Sequence, residues 1–216
     1  MNSFHKFRIP YSAFRNQVLH PVILPVPERV QAFKPKDRVL YLSRHARRAL
    51  TKSAAKSGIQ TGELLKDENG MPLPFDGTFW SLTHKTLYVA GVVAPAPIGI
   101  DIEKIRDVSR GLFQKTAADS EWALAGTAEK SLLTFFRFWT SKEAVLKATG
   151  IGIKDLLKCQ VRQIPDDCHL IIQYESKDWL IEHFFYDQHI ASIVQDDFQV
   201  DWTVEKQVSS LRSQLE

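Results

Sequence analysis

Two prolines, Pro95 and Pro97, interrupt the most apolar stretch of the sequence, residues 87–102. Proline has no backbone N–H to donate and restricts the residue before it, so no single helix or strand is expected to run through this point. The interruption also leaves no apolar run of about 18 residues, the length that a membrane-spanning helix needs. The sequence therefore predicts a seam between an N-terminal part, residues 1–97, and a C-terminal part, residues 98–216.

The N-terminal part contains one clear helical pattern. Residues 20–36 carry four prolines and are expected to be extended and irregular. Residues 37–57 are predicted to form a helix that Gly58 ends, because apolar or small residues recur on one face at helical spacing. Those residues are Leu42, Ala46, Ala49, Leu50 and Ser53. A turn and two strands are expected at residues 67–72, 79–82 and 87–93.

The C-terminal part mixes strands and helices. Residues 98–103 alternate apolar and polar side chains, as a half-buried strand does. A short helix is expected at residues 117–126 and a long one at residues 128–149, which Gly150 ends. Four further strands are predicted near residues 157–163, 169–174, 179–186 and 189–195. Helices interleaved with strands of hairpin length predict an α+β fold.

The composition is that of a folded protein. Hydrophobic residues make up 44% of the 216, which excludes a disordered chain and allows a sizeable core. Two cysteines, Cys159 and Cys168, are too few for a disulfide framework or a thiolate metal site. No apolar segment follows the first residues, as a signal peptide would require. We expect a soluble, reduced and cytoplasmic protein.

Positive charge is concentrated near the N-terminus. Residues 1–60 carry twelve Lys and Arg against Glu28 and Asp37, a net +10, which leaves −7 for the rest of a chain whose total is +3. Within the predicted helix, basic residues recur every four positions and form a basic band: Arg44, Arg48, Lys52 and Lys56, with Arg47 close by. This asymmetry suits a polyanion or an acidic partner, and it equally suits a solvated surface.

Three short segments carry candidate chemistry. Asp101 and Glu103 lie two apart on a predicted strand, so both side chains leave one face, where they suit a divalent cation or simply face solvent. Glu143 and Lys147 lie four apart on the long helix, as an ordinary ion pair or a metal-assisted phosphoryl site would have them. His84, at a strand end, suits a phosphate contact or a structural role.

Together these segments resemble the motifs of the 4′-phosphopantetheinyl transferases. Residues 98–103 resemble the family's G-[IV]-D-x-E motif, and residues 139–147 resemble its W-[ST]-x-K-E-[AS]-x-x-K motif. Residues 81–84 are similar to its S-x-[ST]-H segment. Residues 70–72 are similar to its G-[KR]-P turn, except that Met71 stands in place of Lys or Arg. Order and spacing match the surfactin-type, two-lobed branch.

The resemblance implies an α+β fold built as a pseudo-dimer of two similar lobes, each a helix packed on a small antiparallel sheet. Residues 1–97 would form the lobe that contacts the phosphates of coenzyme A. Residues 98–216 would form the lobe that carries the metal motifs and docks the carrier protein. The active site would lie in the cleft between them, in a monomer with pseudo-twofold symmetry.

The reaction that the resemblance implies is the transfer of 4′-phosphopantetheine from coenzyme A to a serine of an apo acyl or peptidyl carrier protein, with release of 3′,5′-ADP. Asp101, Glu103 and Glu143 would hold Mg²⁺, and Glu143 and Lys147 would be catalytic. The residues expected to bind coenzyme A are Arg44, Arg48, Gly70, Pro72, Ser81, Thr83, His84 and Lys142. Neither nucleic acid nor a membrane is an expected partner.

Carrier docking is expected near residues 117–129. The apolar candidates are Leu112, Phe113, Trp122 and Leu124, which alternatively pack onto their own lobe. The nearby cations are Lys104, Arg106, Arg110, Lys115 and Lys130.

Two other functions stay open, a non-catalytic module that binds carrier proteins and a Mg²⁺-dependent nuclease. Intact acidic residues disfavour the former, because a binding module needs no metal ligands. Nuclease sites usually place the lysine two residues after the glutamate, whereas Lys147 follows Glu143 by four.

Overall fold

The structure, a computed structural model, describes residues 17–126 and 131–206. Its elements follow the chain in this order: β1 (Val18–Leu19), β2 (Val22–Pro25), α1 (Pro35–Lys56), β3 (Phe79–His84), β4 (Tyr88–Ala94), β5 (Ile100–Lys104), α2 (Arg110–Thr116), α3 (Asp119–Ala123), α4 (Leu132–Thr149), β6 (Gln160–Gln163), β7 (His169–Tyr174), β8 (Lys177–Tyr186), β9 (His189–Val194), β10 (Gln199–Val200) and β11 (Thr203–Val204). Two 3-10 segments lie at Glu28–Ala32 and Ile153–Lys158.

The first main sheet has the strand order β11-β2-β4-β3. Its central strand β4 is buried along its whole length because both of its faces are covered. Val89 and Val93 pack with residues of α1, whereas Ala90 and Val92 belong to a core shared with the second sheet. A continuous run of buried apolar residues is what a strand covered on both faces requires.

The second main sheet is antiparallel, with the strand order β5-β9-β8-β7-β6. Helix α4 packs against it through buried aromatic side chains, among them Phe135, Phe136 and Phe138. The same apolar core includes Ile100 of β5 and Ile193 of β9. Each main sheet is therefore paired with one long helix, and a common core joins the sheets.

The α+β prediction is confirmed, and the two long helices lie close to their predicted positions. All five residues predicted for the apolar face of α1 are buried. Helix α4 ends at Gly150, whose φ of 74° is the left-handed conformation that glycine adopts most readily. The predicted start of this helix at residue 128, like Lys130, falls outside the described residues.

One local prediction is wrong and another is incomplete. Residues 20–36 are not simply irregular, because Pro21 and Pro25 border the Val22–Pro25 strand and leave its interior residues free to pair with β4. The short helix predicted within residues 117–126 is confirmed as the five-residue helix α3, whereas the second short helix that precedes it, α2, is not predicted.

The end of the described chain returns to the first sheet. Strand β10 pairs with β1, and β11 pairs with β2, both in parallel. Residues 199–204 therefore extend sheets of the N-terminal part, although the sequence groups them with residues 98–216. No helix within the described ranges is long and apolar enough to cross a membrane.

Candidate active site

The two main sheets meet at their edge strands, β3 and β5, through side-chain hydrogen bonds. The backbone N–H of Ile100 donates to the Ser81 hydroxyl at 3.2 Å, and the Thr83 hydroxyl donates to Oδ1 of Asp101 at 2.8 Å. Ser81 and Thr83 are both buried. Their hydroxyls therefore join the sheets, and the hydroxyl of Thr83 holds Asp101 in place. The contact with coenzyme A that the sequence predicts for both residues stays a prediction.

Gly99 brings helix α4 against the start of β5. A Cβ atom at this position would overlap the carbonyl oxygen of Ala144, so only glycine allows the two backbones to approach so closely. This approach places Lys147 over the strand, where its Nζ donates to Oδ1 of Asp101 at 2.8 Å and to the Ile100 carbonyl at 2.9 Å. The Glu143–Lys147 segment of the helix thus faces the Asp101 carboxylate.

Asp101 is almost fully buried, and its two carboxylate oxygens differ in their hydrogen bonds. Oδ1 accepts hydrogen bonds from Lys147 and Thr83. Oδ2 is buried and has no hydrogen-bond partner. A buried carboxylate oxygen without a partner is costly, so this atom is one that a cation would stabilise.

Glu143 lies one helical turn before Lys147, and both residues line a cavity that is described below. Burial raises the pKa of Glu143, and the charge of Asp101 raises it further, while Lys147 and Lys85 act in the opposite direction. Like charges held near each other destabilise the ionised forms and favour a bound cation.

Glu103 lies further along β5, where its carboxylate is 2.6 Å from Nζ of Lys85. Next to Lys85 along the chain is His84, the last residue of β3. Burial lowers the pKa of His84, and the charges of Lys147 and Lys85 lower it further, so the neutral ring is favoured. His84 thus lies within electrostatic reach of both lysines that hold the carboxylates.

Two cavities lie at this junction. The first, of about 220 Å³, is lined by Lys66, by Gly150 and Gly152, and by five residues of the predicted site: Gly70, Pro72, Ser81, Glu143 and Lys147. The second, of about 670 Å³, is lined by His84, Lys85, Glu103, Arg106 and His189, among others. The predicted turn at residues 67–72 and the Glu143–Lys147 segment therefore line one cavity, and Lys147 connects it to Asp101.

The carboxylates fit a divalent cation only in part. In the ranges 17–126 and 131–206, no three His, Cys, Asp or Glu side chains are grouped as ligands of one metal ion. Lys147 and Lys85 hold Asp101 and Glu103 instead. The unpartnered Oδ2 of Asp101 and the raised pKa of Glu143 are nonetheless the features that a cation would relieve. Asp101 and Glu143 fit such an ion, and Glu103 fits it once Lys85 moves away.

The position of the Lys142 side chain differs from the sequence prediction that it contacts coenzyme A. Its side chain is fully buried, and its Nζ lies 2.7 Å from the Glu121 carboxylate and 2.8 Å from the Thr116 carbonyl that it donates to. Because it is displaced by about 100° around the helix from Glu143, it points into the protein rather than into the cleft. In this structure Lys142 connects α2 and α3 to α4 and lines neither of the two cavities.

The basic band also differs from expectation. Arg44 and Arg48 are exposed and line neither of these cavities. Arg47 instead donates to the Leu64 carbonyl at 3.0 Å, and its guanidinium lies 5.9 Å from the centre of the Trp80 ring. Lys66, which lines the first cavity, is not predicted from the sequence, where its only signal is its position just before the Gly-Met-Pro turn.

Most of the predicted docking residues pack internally. Trp122 is buried, and the Phe113 ring lies 5.5 Å from it and 4.9 Å from Phe135. Leu112 is partly buried against the same core. Only Leu124 of the four is largely exposed. The alternative interpretation, packing within the lobe, therefore holds for the first three.

Comparison with known proteins bears on the same residues. The sequence profile of the 4′-phosphopantetheinyl transferase superfamily matches residues 97–203. The chain is 32% identical over 103 residues to 4′-phosphopantetheinyl transferase psf-1 of Bacillus pumilus, covering 46% of this chain and 44% of that protein. It is 32% identical over 122 residues to 4′-phosphopantetheinyl transferase HetI of a Nostoc species, covering 51% and 52%.

A third relative, a putative 4′-phosphopantetheinyl transferase of Haemophilus influenzae, is 31% identical over 133 residues, covering 58% of this chain and 55% of that protein. The chain thus matches about half the length of these curated relatives. The matched profile contains both acidic motifs and the helix that carries Lys147. Through residues 97–203, the chain belongs to the 4′-phosphopantetheinyl transferase superfamily.

Proposed function

We propose that this protein transfers the 4′-phosphopantetheine group of coenzyme A to a serine of an apo acyl or peptidyl carrier protein. The observation that carries the proposal is the contact between Lys147 and Asp101 beside Glu143, at the edge of a cavity that also contains the Gly70–Pro72 turn. Three charged groups of this kind suit a reaction at phosphorus. Membership of the superfamily supports the same reaction.

The proposed step forms a bond between the serine Oγ and the phosphorus next to the pantetheine arm. The bond between that phosphorus and the bridging oxygen breaks, and 3′,5′-ADP leaves with the electron pair. The serine proton passes to Glu143 or to a water that Glu143 orients, a role that its raised pKa favours. Lys147, already aimed at Asp101, neutralises a phosphate oxygen when the substrate enters.

A bound Mg²⁺ would supply positive charge that stabilises negative charge on the pyrophosphate. Asp101 and Glu143 would hold it, with Glu103 as a third ligand after release from Lys85. His84, favoured as the neutral ring, would donate a hydrogen bond to an outer phosphate oxygen.

The two-lobed arrangement is part of the proposal. Each main sheet carries one long helix, α1 or α4, and the sheets meet at β3 and β5. We infer a pseudo-dimer whose cleft holds coenzyme A, with the N-terminal part supplying the turn at Gly70 and the C-terminal part supplying the carboxylates. The pairing of β11 with β2 in the first sheet connects the two parts.

Mass spectrometry of apo carrier proteins tests the proposal. We would incubate acyl and peptidyl carrier proteins with the protein, coenzyme A and Mg²⁺, and measure the intact masses. The expected result is a gain of one phosphopantetheine, absent when the carrier serine is replaced by alanine. Binding of carrier without any mass gain would indicate the non-catalytic module, and cleavage of nucleic acid in its place would indicate the nuclease.

A further inference from the structure

One cation of the first cavity has no counter-ion. No carboxylate within the described part of the chain lies at ion-pair distance from Lys66, whereas Lys147 in the same cavity contacts Asp101. Although much of Lys66 is exposed, partial burial lowers its pKa, and the charges of Arg47 and Lys147 lower it further. An ammonium group held near two other cations is stabilised by an anion.

The backbone fixes Lys66 across from the Gly-Met-Pro turn. Lys66 and Pro72 form an antiparallel bridge, and the N–H of Leu73 donates to the Leu65 carbonyl at 3.0 Å. The carboxylate of Asp67 accepts from the N–H of Met71 at 2.8 Å, which closes the turn. The position of Lys66 relative to the cavity is therefore set by a hydrogen-bonded hairpin rather than by a loose loop.

Met71 supplies no charge at this turn. Its thioether packs against Gly150, where an added Cβ would overlap the sulfur. The related motif carries Lys or Arg at this position, so this chain lacks a cation there. Lys66, whose backbone forms the bridge with Pro72 next to Met71, is the nearest basic residue in the sequence and lines the same cavity.

We propose that Lys66 is a specificity-determining residue whose ammonium contacts a phosphate of coenzyme A at the rim of the first cavity, in place of a basic residue at Met71. This inference rests on the proposed function. Coenzyme A offers two sources of the anion, its 3′-phosphate and its pyrophosphate, and both have the chemistry that an ammonium recognises.

Isothermal titration of the full chain with coenzyme A and with 3′-dephospho-coenzyme A tests the inference. Lys66→Ala should weaken the binding of coenzyme A about tenfold, the effect of one charge-assisted contact at a partly exposed site. The matched control is Lys56→Ala, an exposed lysine at the end of α1 that lines neither cavity. Unchanged affinity of Lys66→Ala for both ligands would overturn the inference.

Comparing the affinities for the two ligands shows which phosphate Lys66 contacts. If Lys66 contacts the 3′-phosphate, Lys66→Ala weakens coenzyme A binding and leaves 3′-dephospho-coenzyme A unchanged. If it contacts the pyrophosphate, both ligands weaken equally. Either result supports the inference and assigns the contact.

A rescue variant separates charge from structure. Adding Met71→Lys to Lys66→Ala should restore the affinity to within about threefold of the starting protein, because the charge returns to the same cavity. Weakened binding that Met71→Lys fails to restore would contradict the charge argument. Lys66→Gln, which keeps most of the side chain, should match Lys66→Ala.

Failure of this inference differs from failure of the proposed function. If the starting protein binds coenzyme A and modifies a carrier, and Lys66→Ala does so equally well, this inference alone is refuted. A starting protein that binds no coenzyme A refutes the proposed function.

Discussion

Nζ of Lys147 lies 2.8 Å from Oδ1 of Asp101, although the two residues are 46 positions apart in the sequence. The contact exists because Gly99 lets α4 press on the start of β5, and because Thr83 holds the same carboxylate from the opposite sheet. Three elements thus converge on one oxygen atom. The carboxylate is thereby preorganised before any ligand arrives, a property that catalysis at phosphorus requires.

Thr83 is expected to act by positioning Asp101. Thr83→Val removes the hydrogen bond to Oδ1 but keeps the shape of the side chain, so kcat for carrier modification should fall about tenfold with little change in KM for coenzyme A. Thr83→Ser, which retains a hydroxyl, should recover most of the rate. A Thr83→Val protein with an unchanged kcat would show that the hydrogen bond has no part in the reaction.

Gly99 is expected to tolerate no side chain. Gly99→Ala places a methyl group on the Ala144 carbonyl, so the free energy of unfolding should fall by about 3 kcal/mol or more, measured by urea denaturation. Gly111→Ala is the matched control, since its Cβ would meet nothing within 4 Å on helix α2. That variant should gain about 0.5–1 kcal/mol from its better helix propensity. Equal stability of the two variants would refute the close approach of α4 and β5.

The buried pair of Lys142 and Glu121 is expected to contribute to stability rather than to substrate binding. Glu121 also accepts hydrogen bonds from the N–H groups of Ala118 and Val161, both at 2.8 Å, so it stays buried when its partner is lost. Lys142→Ala leaves this carboxylate without a counter-ion and should cost about 3–5 kcal/mol of the free energy of unfolding.

The double variant Lys142→Met/Glu121→Gln provides the control for that pair. It removes both charges together and should cost less than Lys142→Ala alone, because no uncompensated charge remains buried. The remaining folded protein should keep its KM for coenzyme A. A large rise in the KM for coenzyme A without loss of stability would instead show that Lys142 contacts a phosphate, as the sequence suggests.

His183 is expected to make stability depend on pH. Burial lowers its pKa well below the ordinary value, and Arg137 lowers it further, while its Nδ1 lies 2.8 Å from the Ser192 hydroxyl. Below about pH 6.5 the unfolded chain takes up a proton that the folded chain does not. Stability should therefore fall with falling pH, by up to about 1.4 kcal/mol per pH unit from this group.

Urea denaturation between pH 7.5 and 5 measures this dependence. His183→Gln, whose amide can still bond to Ser192, should lose less stability over that range than the parent protein. A variant with the same pH slope as the parent would show that His183 titrates normally in the folded state.

The sequence predicts elements and motifs well where the signal is local. The helical spacing around Leu50 and the stop at Gly150 locate the two long helices. The motifs contain Glu143 and Lys147, which line one cavity, and Asp101, which Lys147 contacts. These features depend on neighbours in sequence or on residue types that phosphoryl chemistry requires.

Features set by distant partners are not predictable in this way. Lys142 and Lys147 share one helix, and only the packing of α3 decides that the first pairs internally with Glu121. The parallel pairing of β11 with β2 joins residues about 180 positions apart, for which a short strand carries no local signal. The role of Arg47, displaced from the regular basic band, likewise depends on Trp80 and Leu64.

The proposed transfer of phosphopantetheine is tested by measuring both of its products in the same reaction. We would follow the formation of 3′,5′-ADP and of phosphopantetheinylated carrier with saturating Mg²⁺, using the parent protein, Asp101→Asn and Glu143→Gln, each checked for folding. We expect equal amounts of both products with the parent protein and neither product with the two variants. Near-parental turnover by either variant, or 3′,5′-ADP formed without modified carrier, would contradict it.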